Sequence, residues 1–187
     1  VQAMYVEHIN SLTRGVVGDY RCGLPGRITA RNFAGEDVVH NIERKVEMSG
    51  PIHDKGVFIL QIYLSALFVH AAPLALNASI VFEQEYYGME GDSASCAELY
   101  VLLSSLSGLQ LKQGIAITGA VNHHGEVLPV GGINEKIEGY FRICETAGLD
   151  GSNGGLIQNR NGGNPMMASQ VVAAGAQLGG GIVPQAG

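Results

Sequence analysis

The chain has 187 residues, of which 46% are hydrophobic and 15% are charged, and its net charge at pH 7 is −6. This length and apolar content suffice for one domain with a buried core, over residues 1–187, and exclude an intrinsically disordered chain. The acidic balance and the absence of any basic run exclude nucleic acid as the main partner, because phosphate binding needs clustered Lys and Arg.

The cysteines are odd in number and widely spaced, at Cys22, Cys96 and Cys144. This pattern is not that of a disulfide framework, so it favours a reducing compartment, and we expect a cytoplasmic protein. The first ten residues lack the basic and apolar regions of a signal peptide. Polar residues and a proline interrupt the longest apolar stretch, residues 56–76, so we expect no membrane segment.

The first half of the chain alternates short strand patterns with one helical pattern. Apolar residues recur at helical spacing from Ile52, which predicts a long helix that stops near Pro73. Short β-rich runs predict strands at residues 27–30, 43–47 and 78–83, and residues 86–91 are predicted to form a loop.

The second half contains two further helical patterns around a hairpin. A helix is predicted from Asp92 to Gly108, with Leu99, Leu102, Leu103 and Leu106 on its apolar face. A buried strand at residues 114–118, a turn at 122–125 and a strand at 126–130 follow, and the strand pair with its turn predicts a hairpin. Gly131-Gly132 opens a helix that ends near Gly148, with a core stripe of Ile133, Ile137, Tyr140, Phe141 and Cys144.

The last segment, residues 151–187, differs from the rest because it contains ten of the 27 glycines. Only a strand at Leu156-Ile157 and a short helix at residues 170–177 are indicated there. Mixed strands and helices without a regular βαβ rhythm predict an α+β layer fold.

Ser93 is the first candidate for chemistry. It follows a glycine in Gly91-Asp92-Ser93-Ala94-Ser95, and the pattern places it in the first turn of a helix. Unpaired backbone N–H groups and the positive end of the helix dipole favour a developing oxyanion at such a position. The alternative is that Asp92 or Ser93 only caps the helix.

Lys136 is the second candidate, in the first turn of its own helix and, by the periodicity, on a different side from Ile133 and Ile137. A lysine acts as a base near neutrality only if its pKa falls, and burial near a helix N-terminus lowers it. The alternative is a solvated lysine that pairs with a neighbouring glutamate. Thr118 ends an apolar strand, where its hydroxyl could hold the lysine on the serine.

Other catalytic patterns are absent from the sequence. There is no Gly-x-Ser-x-Gly elbow, no His-Glu-x-x-His zinc site and no Gly-Lys pair of a phosphate-binding loop. His123-His124 indicates a surface turn, and Cys96 indicates a buried packing thiol. We therefore expect neither a metal nor another cofactor in this chain.

Taken together, these segments resemble the Lon protease family. The resemblance covers about residues 8–160 and is carried by Glu90-Gly91-Asp92-Ser93-Ala94-Ser95, Ile117-Thr118-Gly119, the segment 125–132 and Glu135-Lys136. The lysine follows the serine by 43 positions. The form of the serine motif is similar to the B-type enzymes of archaea and to a bacterial Lon-like subfamily. Residues 151–187 depart from the family pattern.

The resemblance implies the Lon protease-domain fold, an α+β sandwich similar to domain 2 of ribosomal protein S5. It implies Ser93 as the nucleophile, Lys136 as the general base and Thr118 as the residue that orients the lysine. Glu90 matches an acidic position that holds the lysine in resting forms, and Asp92 belongs to the same motif. Backbone N–H groups around Ser93 would form the oxyanion hole.

The resemblance also implies partners. The family assembles homo-hexameric rings that cut unfolded or misfolded polypeptides delivered by an ATP-driven AAA+ module, in cis or in trans. That module would bind the ATP. Two other hypotheses are a catalytically silent assembly or substrate-holding domain, in which Glu90 locks Lys136 as an ion pair, and a nucleic-acid binder, which the acidic charge disfavours.

Overall fold

The computed structural model describes residues 3–17, 19–34, 40–41, 51–68, 76–83, 91–149, 151–158 and 182–185. These residues contain the helices α1 (Pro51–Phe68), α2 (Ser95–Ser107) and α3 (Ile133–Ala147). None of these helices is long and apolar enough to cross a membrane.

The described strands form one large sheet and two small ones. Their bounds are β1 Met4–Tyr5, β2 His8–Val17, β3 Tyr20–Ala34, β4 His40–Asn41, β5 Leu76–Phe82, β6 Leu111–Lys112, β7 Ile115–Ile117, β8 Ala120–Val121, β9 Val127–Leu128, β10 Gly154–Gln158 and β11 Ile182–Gln185. Seven of them form a mixed sheet in the order β11-β10-β7-β2-β3-β5-β4. Strands β2, β3 and β5 pair antiparallel, whereas β2, β7, β10 and β11 pair parallel. This mixture of helices and sheet fits the predicted α+β class.

The helices cover opposite faces of the large sheet. Helices α1 and α2 pack against the sheet in one apolar cluster, and Leu156 of β10 contacts that cluster. Ile157, the next residue of β10, belongs to a second cluster with Ile133 and Ile137 of α3. Successive side chains of a strand point to opposite faces, so α3 lies across the sheet from α1 and α2.

Glycines end the second and third helices where the sequence indicated. Gly108 follows α2 in the left-handed region, with φ of 70°, and its N–H donates to the carbonyl of Ser104. Gly148 follows α3 with φ of 94°. A residue without a Cβ adopts these angles at little cost, so each glycine terminates its helix.

The predicted turn at residues 122–125 closes a hairpin, but its first strand is β8 rather than the strand expected at 114–118, which pairs with β2 and β10 in the large sheet. Strands β8 and β9 pair antiparallel, and the side-chain oxygen of Asn122 accepts hydrogen bonds from the N–H groups of His124 and Glu126. Gly125 in this turn has φ of 85°, and a Cβ there would overlap the ring of Tyr63 on α1. The hairpin therefore packs directly on α1.

Two predicted boundaries are wrong. Helix α2 begins at Ser95 rather than Asp92, because the N–H and the hydroxyl of Ser95 both donate to the carbonyl of Asp92 and form a turn there. Ser93 therefore precedes the helix. The strand expected at residues 27–30 extends over Tyr20–Ala34, since it pairs along its length with β2 and β5.

Several predictions lie outside the described residues. They are the strand at residues 43–47, most of the loop at 86–91, the helix at 170–177 and the side chain of Glu90. The strands expected at 78–83, 114–118 and Leu156-Ile157 are confirmed as β5, β7 and β10. Within the Gly-rich segment β10 pairs with β11, so its two described parts extend the large sheet.

Candidate active site

The turn before α2 holds Ser93 against the end of strand β7. The carbonyl oxygen of Ser93 accepts hydrogen bonds from the N–H of Gly119 (2.9 Å) and from Thr118 Oγ1 (3.2 Å). The N–H of Cys96 donates to the carbonyl of Gly119 at 3.1 Å. Three hydrogen bonds thus join the segment around Ser93 to the residues that follow β7.

Lys136 lies in the first turn of α3, and its side chain is buried. The helix starts after Gly132, whose φ of 69° favours glycine, and the N–H of Lys136 donates to the carbonyl of Gly132 at 3.0 Å. Lys136 is only 3% exposed, about as buried as Ile133 and Ile137. The sequence placed it on a different side from those two residues, and this was wrong, because the apolar cluster and Lys136 share one buried face.

A close approach between β3 and α3 fixes the position of this first turn. A Cβ on Gly23 of β3 would overlap the backbone of Glu135 and Lys136, and a Cβ on Gly139 would overlap the backbone of Gly23. Strand and helix backbones touch here without intervening side chains. The backbone that carries Lys136 is therefore set by the sheet.

The three predicted side chains meet at one point. Lys136 Nζ lies 3.0 Å from Ser93 Oγ and 3.0 Å from Thr118 Oγ1. Thr118 is fully buried. Its hydroxyl donates to the carbonyl of Ser93, so its lone pairs are left to accept a hydrogen bond from Lys136. The turn before α2, which carries Ser93, therefore lies beside the first turn of α3, which carries Lys136.

Burial changes the protonation of Lys136. The pKa of its amine falls from 10.5 to about 8, chiefly because burial removes the amine from water and secondly because the positive charge of Arg14 disfavours the ammonium. The negative charges of Asp92 and Glu135 act in the opposite direction. About a tenth of this lysine is therefore uncharged at pH 7, far more than for a lysine with the usual pKa.

Two amide groups beside Ser93 are available to a ligand. Within residues 91–149 and the other described segments, the N–H groups of Ser93 and Ala94 donate no hydrogen bond. Neither Asp92 nor Ser93 caps α2, because the residue before the helix, Ala94, has no side-chain cap. The alternative interpretation of the serine motif, in which Asp92 or Ser93 only caps the helix, is therefore not what the structure shows.

The cysteines and histidines are the other side chains that were considered for chemistry. Cys96 is 1% exposed, as predicted for a packing thiol, and burial raises the pKa of the Cys144 thiol, so neither cysteine is an exposed thiolate. His123 and His124 are exposed in the hairpin turn, as predicted. No group of His, Cys, Asp and Glu in the described part of the chain could hold a metal ion.

The sequence did not reveal Arg14, Gly23 or Gly139 as neighbours of the site. A signal was available for the two glycines. A glycine inside a strand or inside a helical pattern often marks a close backbone approach. Arg14 carries no such signal, because its nearness to Lys136 depends on how β2 and α3 pack.

Comparisons with known proteins agree with this site. Residues 86–143 match the sequence model of the Lon protease (S16) C-terminal proteolytic domain. A protein named "Putative Lon protease homolog" from Escherichia coli is 42% identical over 152 residues, which is 81% of this chain and 26% of that protein. A protein of the same name from Haemophilus influenzae is 47% identical over 135 residues, 72% of this chain and 22% of that protein.

Archaeal enzymes match a shorter segment. The archaeal Lon protease of Archaeoglobus fulgidus is 43% identical over 63 residues, 34% of this chain and 10% of that protein. The chain thus spans about a quarter of the length of the two bacterial relatives. Since the matched segment 86–143 contains Ser93, Thr118 and Lys136, the chain belongs to the Lon protease family and carries sequence of its C-terminal proteolytic domain.

Proposed function

We propose that this chain hydrolyses peptide bonds as a serine endopeptidase, with Ser93 as the nucleophile and Lys136 as the general base. The observation that carries the proposal is the distance of 3.0 Å between Lys136 Nζ and Ser93 Oγ, in a site that lowers the pKa of the lysine to about 8. A serine hydroxyl is a weak nucleophile until a base within hydrogen-bond reach takes its proton.

The first step is the attack of Ser93 on the substrate. Neutral Lys136 donates one N–H to Thr118 Oγ1, which directs the nitrogen lone pair toward the hydroxyl of Ser93. As Ser93 Oγ forms a bond to the carbonyl carbon, its proton moves to Lys136 Nζ. Thr118 is a positioning residue in this step, because it holds both the amine and the carbonyl of Ser93.

The N–H groups of Ser93 and Ala94 support the same step. The substrate carbonyl oxygen becomes negatively charged as the tetrahedral intermediate forms. Backbone donors that are already in place stabilise such a charge, and removal of one donor typically slows catalysis by about 100- to 1,000-fold. We assign the oxyanion hole to these two amides, which make no hydrogen bond within the described residues.

The second half of the reaction returns the site to its starting state. The ammonium of Lys136 gives its proton to the leaving amine as the C–N bond breaks, which leaves an ester on Ser93. Neutral Lys136 then takes a proton from a water molecule that attacks the ester carbonyl. The acid product leaves and the proton returns to Ser93 Oγ.

We also propose the context in which this reaction occurs. The chain acts on unfolded or misfolded polypeptides, in a homo-hexameric ring fed by an AAA+ ATPase module in cis or in trans. The greater length of the two bacterial relatives, which leaves room for further modules, supports this proposal. The three cysteines, which form no disulfide, support a reducing, cytoplasmic setting.

The experiment compares Ser93→Ala with the unchanged chain in the cleavage of casein, an unfolded protein. Ser107→Ala is the matched control, because Ser107 is exposed at the far end of α2. We expect Ser93→Ala to abolish cleavage and Ser107→Ala to preserve it. Cleavage that persists without Ser93 would contradict the proposal.

A covalent probe separates an active site from a silent one. A peptide boronate should form an adduct at Ser93 that mass spectrometry detects in the unchanged chain and in Ser107→Ala. The adduct should be absent from Ser93→Ala and weak in Lys136→Met. Failure of the unchanged chain to react would favour the substrate-holding alternative.

A further inference from the structure

Arg14 on β2 lies beside the proposed catalytic pair and has no assigned part in the reaction. Its side chain crosses the start of α3: a Cβ on Gly132 would lie 3.2 Å from Arg14 Cδ and 3.7 Å from one of its terminal guanidinium nitrogens. Arg14 is also the cross-strand partner of Gly23, which lies against the backbone of Lys136. Arg14 therefore lies beside the start of α3, and its positive charge lowers the pKa of Lys136.

The guanidinium of Arg14 forms no ion pair with the described residues of the chain. Arg14 is exposed, and no carboxylate forms an ion pair or hydrogen bond with it within residues 3–17, 19–34, 91–149 and the other described segments. The carboxylate of Glu135 lies on the same stretch of backbone, with one oxygen 3.7 Å from a Cβ on Gly132, yet it does not pair with Arg14. An arginine presents a planar fork of donors that matches a carboxylate.

The aliphatic part of the Arg14 side chain limits the directions in which its guanidinium can point. Because Gly132 lacks a side chain, the carbon chain of Arg14 rests against the helix backbone, and any larger residue there would push it away. The guanidinium is thus held beside the start of α3, and Arg14 remains exposed to water.

We propose that Arg14 binds an acidic side chain of the polypeptide substrate close to the scissile bond, and so sets a preference for Asp or Glu there. The proposal rests on the proposed peptidase function. Gly132 precedes α3 and Lys136 is the fourth residue of that helix, so Arg14 lies against the end of α3 that carries the proposed base.

The charges around the site favour this ligand over a basic one. Arg14 and the N-terminal end of α3 are positive, and Lys136 becomes positive when it takes the proton of Ser93. Asp92 and Glu135 face the same lysine and partly offset this charge. An acidic substrate side chain would pair with the guanidinium of Arg14, whereas a basic side chain would be repelled by it.

The test measures peptide binding to the full chain carrying Ser93→Ala, so that no substrate is consumed. Three blocked peptides of the same extended sequence carry Glu, Gln or Lys at one position beside a central Leu-Ala bond, and fluorescence anisotropy gives their affinities. We expect the Glu peptide to bind about two- to fivefold more tightly than the Gln peptide, as for an exposed ion pair. Added salt should reduce this ratio.

Variants assign the preference to Arg14. Arg14→Gln should bring the ratio of Glu to Gln affinity to about one, Arg14→Lys should retain part of it, and Arg14→Glu should prefer the Lys peptide. Arg142→Gln is the matched control for net charge, because Arg142 is exposed further along α3, and it should leave the ratio unchanged. A merely structural role of Arg14 would not reverse the preference with the sign of its charge.

Two results would overturn the proposal: equal affinity for the Glu and Gln peptides with Arg14 in place, or a preference that survives Arg14→Gln. Neither result bears on the peptidase function, which depends on Ser93-dependent cleavage of casein. Conversely, loss of that function leaves the binding measurement intact, because it uses a chain without the nucleophile.

Discussion

The carbonyl group of Gly23 on β3 lies against Gly139 on α3, closer than a side chain on Gly139 would permit. Gly23 in turn touches the backbone of Glu135 and Lys136. The contact therefore sits directly behind the lysine whose amine reaches Ser93. It couples the packing of the sheet to the geometry of the proposed active site.

Replacement of Gly23 by Ala should displace the start of α3. The added methyl group overlaps backbone atoms that cannot rotate away, so α3 must shift, at a cost of about 1–3 kcal/mol in the free energy of unfolding. A displacement of the catalytic amine by about 1 Å typically costs about 100-fold in rate. Urea denaturation and casein cleavage measure the two effects.

Gly26→Ala is the control for this variant, because Gly26 lies on the same strand and a Cβ there meets no atom within 4 Å. It should preserve both stability and activity. If Gly23→Ala behaves like Gly26→Ala, the close packing of β3 on α3 does not position Lys136.

Thr118→Val should reduce activity while preserving the shape of the buried side chain. Valine lacks the hydroxyl that accepts from Lys136 and donates to the carbonyl of Ser93, so the amine loses its orientation. The loss of one buried hydrogen-bonding group corresponds to about 1–2 kcal/mol, or roughly a 5- to 30-fold decrease in kcat/KM.

Thr118→Ser keeps the hydroxyl and serves as the comparison. It should retain most of the activity that Thr118→Val loses, when peptide cleavage is measured for both at the same pH. Equal activity of the valine and serine variants would show that the hydroxyl does not orient Lys136.

The rate of cleavage should rise with pH and level off above about pH 8. Only neutral Lys136 takes the proton of Ser93, and burial lowers the pKa of this lysine to about 8. The pH dependence of kcat/KM for a neutral peptide reports this pKa in the free enzyme. A rate that is independent of pH between 6 and 9 would contradict Lys136 as the base.

Charges on either side of Lys136 should move this pH profile in opposite directions. Arg14→Gln removes a positive charge that lowers the pKa of Lys136, so the midpoint of the profile should shift to higher pH. Asp92→Asn removes a negative charge that raises the pKa, so the midpoint should shift to lower pH. A neutral peptide substrate keeps this measurement separate from the substrate preference of Arg14.

Much of this fold follows from local patterns in the sequence. Helix α3 was predicted because Ile133, Ile137 and Cys144 recur at helical spacing and Gly148 ends the pattern. Strand β3 was predicted too short, because Gly23, Pro25 and Gly26 favour turns locally. Pairing with β2 and β5 overrides that tendency, and such long-range pairing is not visible in a local window.

The candidate site, like the fold, was predicted from the sequence only in part. The resemblance of the serine and lysine motifs to the Lon protease family pointed to Ser93, Lys136 and Thr118, and these three side chains lie together in the structure. Burial of Lys136 was part of the hypothesis that it acts as a base, but the periodicity assigned it to a different side of the helix from Ile133 and Ile137. Its burial depends on the contact of α3 with β3, which tertiary packing alone creates.

Lys136→Met should abolish activity and also stabilise the fold at neutral pH. The folded chain holds this lysine with a pKa of about 8, against an ordinary value of 10.5, so below pH 8 its protonation costs about 3 kcal/mol relative to the unfolded chain. Methionine has a similar length and no charge to desolvate, although it loses the hydrogen bonds to Ser93 and Thr118.

The stability difference between this variant and the unchanged chain should depend on pH with a definite sign. Between pH 8 and 10.5 the unfolded chain binds more protons at this position than the folded chain, so the unchanged chain gains stability as pH rises. The advantage of Lys136→Met, measured by urea denaturation, should therefore shrink by about 2 kcal/mol between pH 7.5 and pH 10. Lys112→Met, at an exposed position on β6, should show no such trend. An advantage of Lys136→Met that stays constant over this range would mean that the folded chain does not lower the pKa of Lys136, and the proposed base would then be charged at neutral pH.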